Sequence, residues 1–212
     1  MKSAFWCRHI FIAALVLLSP GVSNAMTVEQ RPKEMTVLNP KFVEGFHHEL
    51  ANRAFSRLAT ARMVKTVDDQ DALVFWSAYH QLEIFNLPIY QHVVEEWGID
   101  NSVGWFTTLR ATAVSLLPEA LHGWMVSTTL KRTEDYVDTL KRLKAIGPDS
   151  EQWFLDYMVA QEELQVDLMK KAVAGDYLRT QVLVEKFTSK YQNLVCLASS
   201  PPTEQSCAQI LD

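Results

Sequence analysis

The chain has 212 residues, with 20 Lys and Arg against 25 Asp and Glu and a formal net charge of −5 at pH 7. This acidic balance argues against a nucleic-acid partner, because a protein with an excess of acidic residues does not neutralise the negative charge of the phosphates. The length suffices for one domain with a sizeable core.

Residues 1–25 have the pattern of a cleaved secretory signal peptide. Lys2 and Arg8 form a short basic start, an apolar run covers residues 10–18, and small residues precede the expected cleavage after Ala25. The apolar run is too short to span a bilayer comfortably, and no second run approaches that length. We therefore expect a periplasmic or secreted, soluble chain of about 187 residues, with 18 Lys and Arg against 25 Asp and Glu.

Residues 26–41 indicate an extended N-terminal arm, and the apolar pattern after them is helical. The spacing predicts helices over about 42–64, 69–97, 102–116, 118–145, 150–174 and 177–196. No alternating run typical of a strand is present in the sequence. The prediction is an all-α domain over residues 42–196, an antiparallel bundle of five to six helices, since the connections are short.

The second predicted helix is apolar around most of its circumference, which is typical of a helix at the centre of a bundle. Pro88 lies inside it and is expected to kink it. Four aromatic residues of this helix are candidates to line a pocket for an apolar ligand: Trp76, Tyr79, Phe85 and Tyr90. Ordinary packing in the core is the alternative for all four.

Two cysteines remain after Cys7 leaves with the leader. Cys196 ends the last predicted helix, and Cys207 lies beyond a turn-rich segment. In an oxidising compartment this pair predicts one disulfide, which closes the tail of residues 197–212 onto the bundle.

Carboxylates interrupt the apolar faces of two predicted helices. Glu83 lies in an apolar stripe of the second helix, and Glu162 lies in a similar stripe of the helix over 150–174. A carboxylate that faces a core needs a partner, a proton or a metal. An amide follows each of them three residues later, Asn86 and Gln165, on the same side of the helix. The alternative is a position at the boundary of each face, where the carboxylate reaches water.

Four glutamates are predicted to lie at similar heights in the bundle. Glu49 and Glu83 are each 17 residues from the turn near residue 66, and Glu134 and Glu162 are each 14 residues from the turn near residue 148. Paired helices with equal rise bring residues at equal distances from their turn to the same level.

This pattern resembles the ferritin-like bundles, in which two helices each supply one Glu and two others supply Glu-x-x-His around two metals. The resemblance covers roughly residues 42–173, and the stretch VAQEELQVDLMKKAVAGDY resembles their last core helix. It implies Glu49 and Glu134 as the single glutamates, with Glu83 and Glu162 opening the paired motifs. Amides occupy the two positions where that pattern has His, and they bind transition metals poorly compared with imidazole.

Three functional hypotheses stay open. The first is an exported binding or interaction protein without a working metal centre, which holds a partner protein or an apolar small ligand. The second is a ferritin-like metal-binding protein or di-metal oxidoreductase, with His80 substituting for the absent imidazole and facing Glu83 and Glu162. The third is another all-helical fold, such as the haem oxygenase-like one, with a cavity beside Pro88. The sequence contains no nucleophile or phosphate-loop motif, so the question whether the protein is an enzyme stays open.

Overall fold

The computed structural model describes residues 38–100 and 122–198, which contain five α-helices and no strand. The helices are α1 (Pro40–Thr66), α2 (Gln70–Trp97), α3 (His122–Lys144), α4 (Gln152–Val173) and α5 (Tyr177–Ala198), with a short 3-10 turn before α4. The all-α prediction is confirmed. The predicted leader, the helix over 102–116 and the tail lie outside the described residues.

The helix ends follow local capping rules. The side chain of Asn39 accepts a hydrogen bond from the backbone N of Lys41 at 3.0 Å, and that of Asp69 accepts from the backbone N of Ala72 at 2.7 Å. At the other end of α2, Gly98 adopts φ 63°, a left-handed conformation that glycine reaches without strain. These local signals account for the close agreement between predicted and observed bounds.

The helices pack unevenly. The most extensive contacts are those of α2 with α5 and of α3 with α4, and α1 packs mainly on α2. By comparison, α1 and α3 contact each other only slightly. Among the described residues, α1 and α3 are therefore only loosely packed against each other. Within the described residues, every helix is too short or too polar for a membrane span.

The core is divided along the helices into two apolar clusters. One cluster includes Phe46, Ile89 and Met158. The other includes Met63, Leu82 and Leu168. Between them, α1, α2 and α4 each contribute buried polar residues, which we call the polar layer: Glu49, Arg53, Glu83, Asn86, Gln161, Glu162 and Gln165.

Cys196 lies half-buried two residues before the end of α5 and is a free thiol in the structure. Cys207 lies outside the described residues. The disulfide between them therefore stays a prediction.

Candidate functional site

Arg53 lies at the centre of the polar layer, with only 5% of its surface exposed. Its Nε lies 3.0 Å from Oε1 of Glu49, one turn earlier on α1. Nη1 lies 2.8 Å from Oε1 of Glu83 on α2, and Nη2 lies 2.8 Å from Oε2 of Glu162 on α4. One guanidinium thus joins the glutamates of three helices, and its planar fork suits such multiple recognition.

The amides of the polar layer hydrogen-bond to the same groups. Arg53 donates from Nη1 to Oε1 of Gln161 at 2.9 Å and from Nη2 to Oε1 of Gln165 at 3.4 Å. Nε2 of Gln165 donates to Glu83 at 3.2 Å and to Gln161 at 2.7 Å, and Asn86 donates to Gln161 at 3.2 Å. Two of these amides, Asn86 and Gln165, occupy the positions where the ferritin-like pattern has His.

Two tyrosines donate hydrogen bonds to the carboxylate of Glu49, which is fully buried. Tyr90 of α2 donates to Oε1 at 2.6 Å, and Tyr136 of α3 donates to Oε2 at 2.9 Å. Burial, and then the charge of Glu49, raises the pKa of each hydroxyl far above its ordinary value. Both tyrosines therefore stay protonated and act as donors.

Two further tyrosines donate to the amides. Tyr79 donates to Oε1 of Gln165 at 2.6 Å, and Tyr157 donates to Oδ1 of Asn86 at 2.5 Å. Burial raises the pKa of both hydroxyls as well. The amide orientations are thereby determined, because each side-chain oxygen accepts and each nitrogen donates.

Three carboxyl groups surround a single guanidinium, so the layer would carry a formal charge of −2 if all were ionised. Burial, opposed by Arg53 and reinforced by Glu49, raises the pKa of Glu83 and of Glu162 to about 7. Burial alone would lower the pKa of Arg53, but the charges of the three glutamates hold it well above its usual value. Arg53 is therefore permanently charged, whereas Glu83 and Glu162 exchange protons near neutrality.

Two buried polar atoms in the described residues lack a hydrogen-bond partner: Oε2 of Glu83 and Nε of Arg53. Nε lies at ion-pair distance from Glu49 but without hydrogen-bond geometry. A buried carboxylate oxygen without a donor is costly, and the cost is smaller once the group is protonated. This agrees with the raised pKa of Glu83.

Glu134 does not belong to the polar layer, contrary to the level predicted from the turn. Its Oε1 lies 3.0 Å from Nζ of Lys170, with 38% and 52% of the two side chains exposed. Glu163 pairs with Lys141 at 2.9 Å, so the part of α3 nearest Glu162 lies seven residues beyond Glu134. Seven helical residues correspond to about 10 Å.

His80 is half-buried and lies apart from the carboxylates. Its Nδ1 is 3.1 Å from Oγ1 of Thr60, its hydrogen-bond partner among the described residues. Partial burial lowers its pKa, and the charges of Lys65 and Arg57 add to this effect. The described hydrogen bond of His80 is thus with Thr60 of α1, outside the polar layer.

The residues of the polar layer do not fit a pair of metal ions. No group of three His, Cys, Asp or Glu side chains within residues 38–100 and 122–198 converges as metal ligands. Arg53 lies between 2.8 and 3.0 Å from all three carboxylates, and an arginine in a protein does not lose its charge. A metal there would meet this fixed positive charge at short range.

A cavity of about 420 Å³ reaches the polar layer from the side where α1 and α3 are loosely packed. Its wall is largely apolar and includes Trp76 and Tyr79, two of the four aromatic residues predicted to line a pocket. The other two, Phe85 and Tyr90, pack with the first apolar cluster instead. Beside Pro88 lies a much smaller cavity of about 20 Å³, whose lining includes Leu87, Tyr90 and Gln91. The larger cavity lies nearer the start of α2.

Sequence reasoning missed the central residue, Arg53. The available signal was the spacing of this cation, four residues after Glu49 on the face of α1 that carries Phe46 and Leu50. This spacing places two opposite charges together on an apolar face. Gln161 and Tyr136 were missed because nothing in their spacing distinguishes them from ordinary helical residues.

Comparison of the chain with protein-family models, with curated proteins and with solved structures found no match.

Proposed function

We propose that this chain is an exported helical-bundle protein that binds an apolar small molecule and has no working metal centre. The observation that carries the proposal is the cavity of about 420 Å³, which is mainly apolar and ends at Arg53, Glu162 and Gln165. Small-molecule sites typically have this size and combine apolar walls with a few polar groups that orient the ligand.

The proposed architecture is an antiparallel bundle, ferritin-like in outline. Its support is the short connection between α1 and α2 and between α3 and α4, together with buried carboxylates at one level on α1, α2 and α4. In this proposal Arg53 supplies the positive charge that metal ions supply in metal-containing bundles. The polar layer then serves helix register and forms one wall of the binding cavity.

Export and the disulfide are tested by the mass of the protein recovered from the periplasm of an expressing bacterium. We expect the product to lack residues 1–25, as the signal-peptide pattern predicts, and to gain two hydrogen atoms on reduction. A precursor of full length that stays in the cytoplasm would contradict export. Reactive thiols at Cys196 and Cys207 in the exported protein would contradict the disulfide.

Ligand binding is tested by calorimetric titration with 1-naphthylmethanol, a neutral aromatic probe. We expect saturable binding of one probe per chain, and about a tenfold or greater loss of affinity in Ala59→Phe, which fills the cavity from α1. Ala51→Phe, an exposed position on the same helix, is the matched control and should bind normally.

Two results would contradict this proposal. One is the absence of saturable binding, or binding that Ala59→Phe leaves unchanged. The other is stoichiometric iron or manganese in protein purified from the periplasm, lost when Glu83 and Glu162 are changed to Gln.

A further inference from the structure

We propose that the ligand of this cavity is an organic cation, with an apolar body and an ammonium head placed against Glu162. This inference rests on the proposed function, because it names the ligand class of the same cavity. Four features of the described residues support it: the state of Arg53, the free oxygen of Glu162, the charge of the polar layer and the aromatic wall.

The terminal N–H groups of Arg53 are not available to an anionic ligand. A guanidinium has five N–H groups. The four terminal N–H groups of Arg53 are directed at carboxylates and amides of the layer, within 3.5 Å in every case: Glu83, Gln161, Glu162 and Gln165. Nε makes no hydrogen bond and lies 3.0 Å from Oε1 of Glu49. Although Arg53 lines the cavity, its hydrogen-bonding capacity is therefore directed away from a ligand.

Glu162, in contrast, has one carboxylate oxygen, Oε1, that can accept a hydrogen bond from a ligand. It lines the cavity although only 3% of its surface is exposed. Its donors among the described residues, Nη2 of Arg53 and Nε2 of Gln161, both approach Oε2, at 2.8 and 3.3 Å. Oε1 receives no hydrogen bond from any residue of the described ranges. A carboxylate oxygen without a donor binds an ammonium N–H favourably, because charge-assisted hydrogen bonds are among the strongest.

The charge of the polar layer favours the same sign of ligand. Glu49, Glu83 and Glu162 outnumber Arg53, and Oε2 of Glu83 also lacks a donor. One additional positive charge brings the layer closer to neutrality at a depth where charges are weakly screened. Arg132 of α3 also lines the cavity, but it is exposed, and water and salt screen its charge.

The aromatic wall is suited to a cation with an apolar body. Phe75, Trp76, Tyr79 and Tyr136 all line the cavity. The hydroxyls of Tyr79 and Tyr136 already donate to Gln165 and Glu49, so their rings, rather than their hydroxyls, are offered to a ligand. Ring faces attract ammonium groups and repel carboxylates.

The test compares three probes of matched shape by calorimetry at pH 8 on the exported protein: 1-naphthylmethylamine, 1-naphthylmethanol and 1-naphthoic acid. We expect the amine to bind at least about tenfold more tightly than the alcohol, and the acid to bind most weakly. Glu162→Gln should abolish the preference for the amine and preserve binding of the alcohol. Glu163→Gln, at the neighbouring exposed position, should leave the preference intact.

The outcomes separate this inference from the proposed function. Equal affinities for the amine and the alcohol would overturn the cation inference and leave the proposed function standing. Tightest binding of the acid would also overturn it. Binding of none of the three probes would remove the proposed function itself, and the inference with it. The comparison among probes uses the unmodified protein, so it decides the question even if Glu162→Gln does not fold.

Discussion

Arg53→Met is expected to lower the free energy of unfolding by about 3–5 kcal/mol at pH 8, the cost typical of removing one partner from a buried ion pair. Met has a similar length and no charge, so the change leaves Glu49, Glu83 and Glu162 buried around an apolar side chain. The measurement is chemical denaturation followed by circular dichroism at about 222 nm, a helical signal to which all five described helices contribute.

The pH dependence and a surface variant provide the controls for Arg53→Met. At pH 5 the loss should be smaller, because burial raises the pKa of Glu83 and Glu162 to about 7 and both are then neutral. Arg142→Met, at an exposed position on α3, should change stability by less than about 0.5 kcal/mol. A loss below about 1 kcal/mol for Arg53→Met at pH 8 would show that Arg53 does not neutralise the layer.

Stability should fall as the pH rises from about 4.5 to about 7, through the titration of Glu83 and Glu162. The folded protein retains their protons up to about pH 7, whereas the unfolded chain releases them near the ordinary value of 4.5. The folded state thus binds more protons in this window, and the free energy of unfolding decreases with pH. A shift of this size corresponds to roughly 3 kcal/mol for one carboxyl group considered alone.

Glu83→Gln isolates this contribution from that of the other carboxylates. The amide oxygen of Gln still accepts from Arg53, and the variant has no proton to lose at this position. The stability of the variant relative to the unmodified protein should therefore increase across pH 4.5 to 7, by up to roughly 3 kcal/mol. Glu163→Gln, with half of its side chain exposed, should show no such trend. Parallel stability curves for Glu83→Gln and the unmodified protein would contradict the raised pKa.

The helices themselves were predictable because their signals are local. The cap at Asp69, the left-handed Gly98 and the three-to-four spacing of apolar residues are properties of short segments. They place the described helix ends within about two residues, apart from the start of α3, which lies at the limit of the described residues. The burial of Glu83 and Glu162 was one of the two alternatives that their position in an apolar stripe left open, and the structure shows both buried.

The membership of the polar layer was predictable only in part. Glu49, Asn86 and Gln165 lie where the helical pattern placed them. Glu134 does not, because its height was inferred from the position of a turn. The 3-10 turn Asp149–Glu151 and the real pairing of α3 with α4 shift that level by about two turns of helix. A small error in a connection thus becomes a large error in which side chains meet.

The amino-acid sequence alone determined the helical class, the bounds of the described helices and the fact that acidic side chains interrupt their apolar faces. Each of these depends on neighbours within one or two turns of the same helix. Only the tertiary structure decided which side chains those acids meet: the guanidinium of Arg53, with Tyr136 of α3 where Glu134 was expected. The reason is that such partners lie up to 109 residues away in the chain. Their meeting depends on how each helix is rotated and shifted against the next, which is set by packing over the whole bundle.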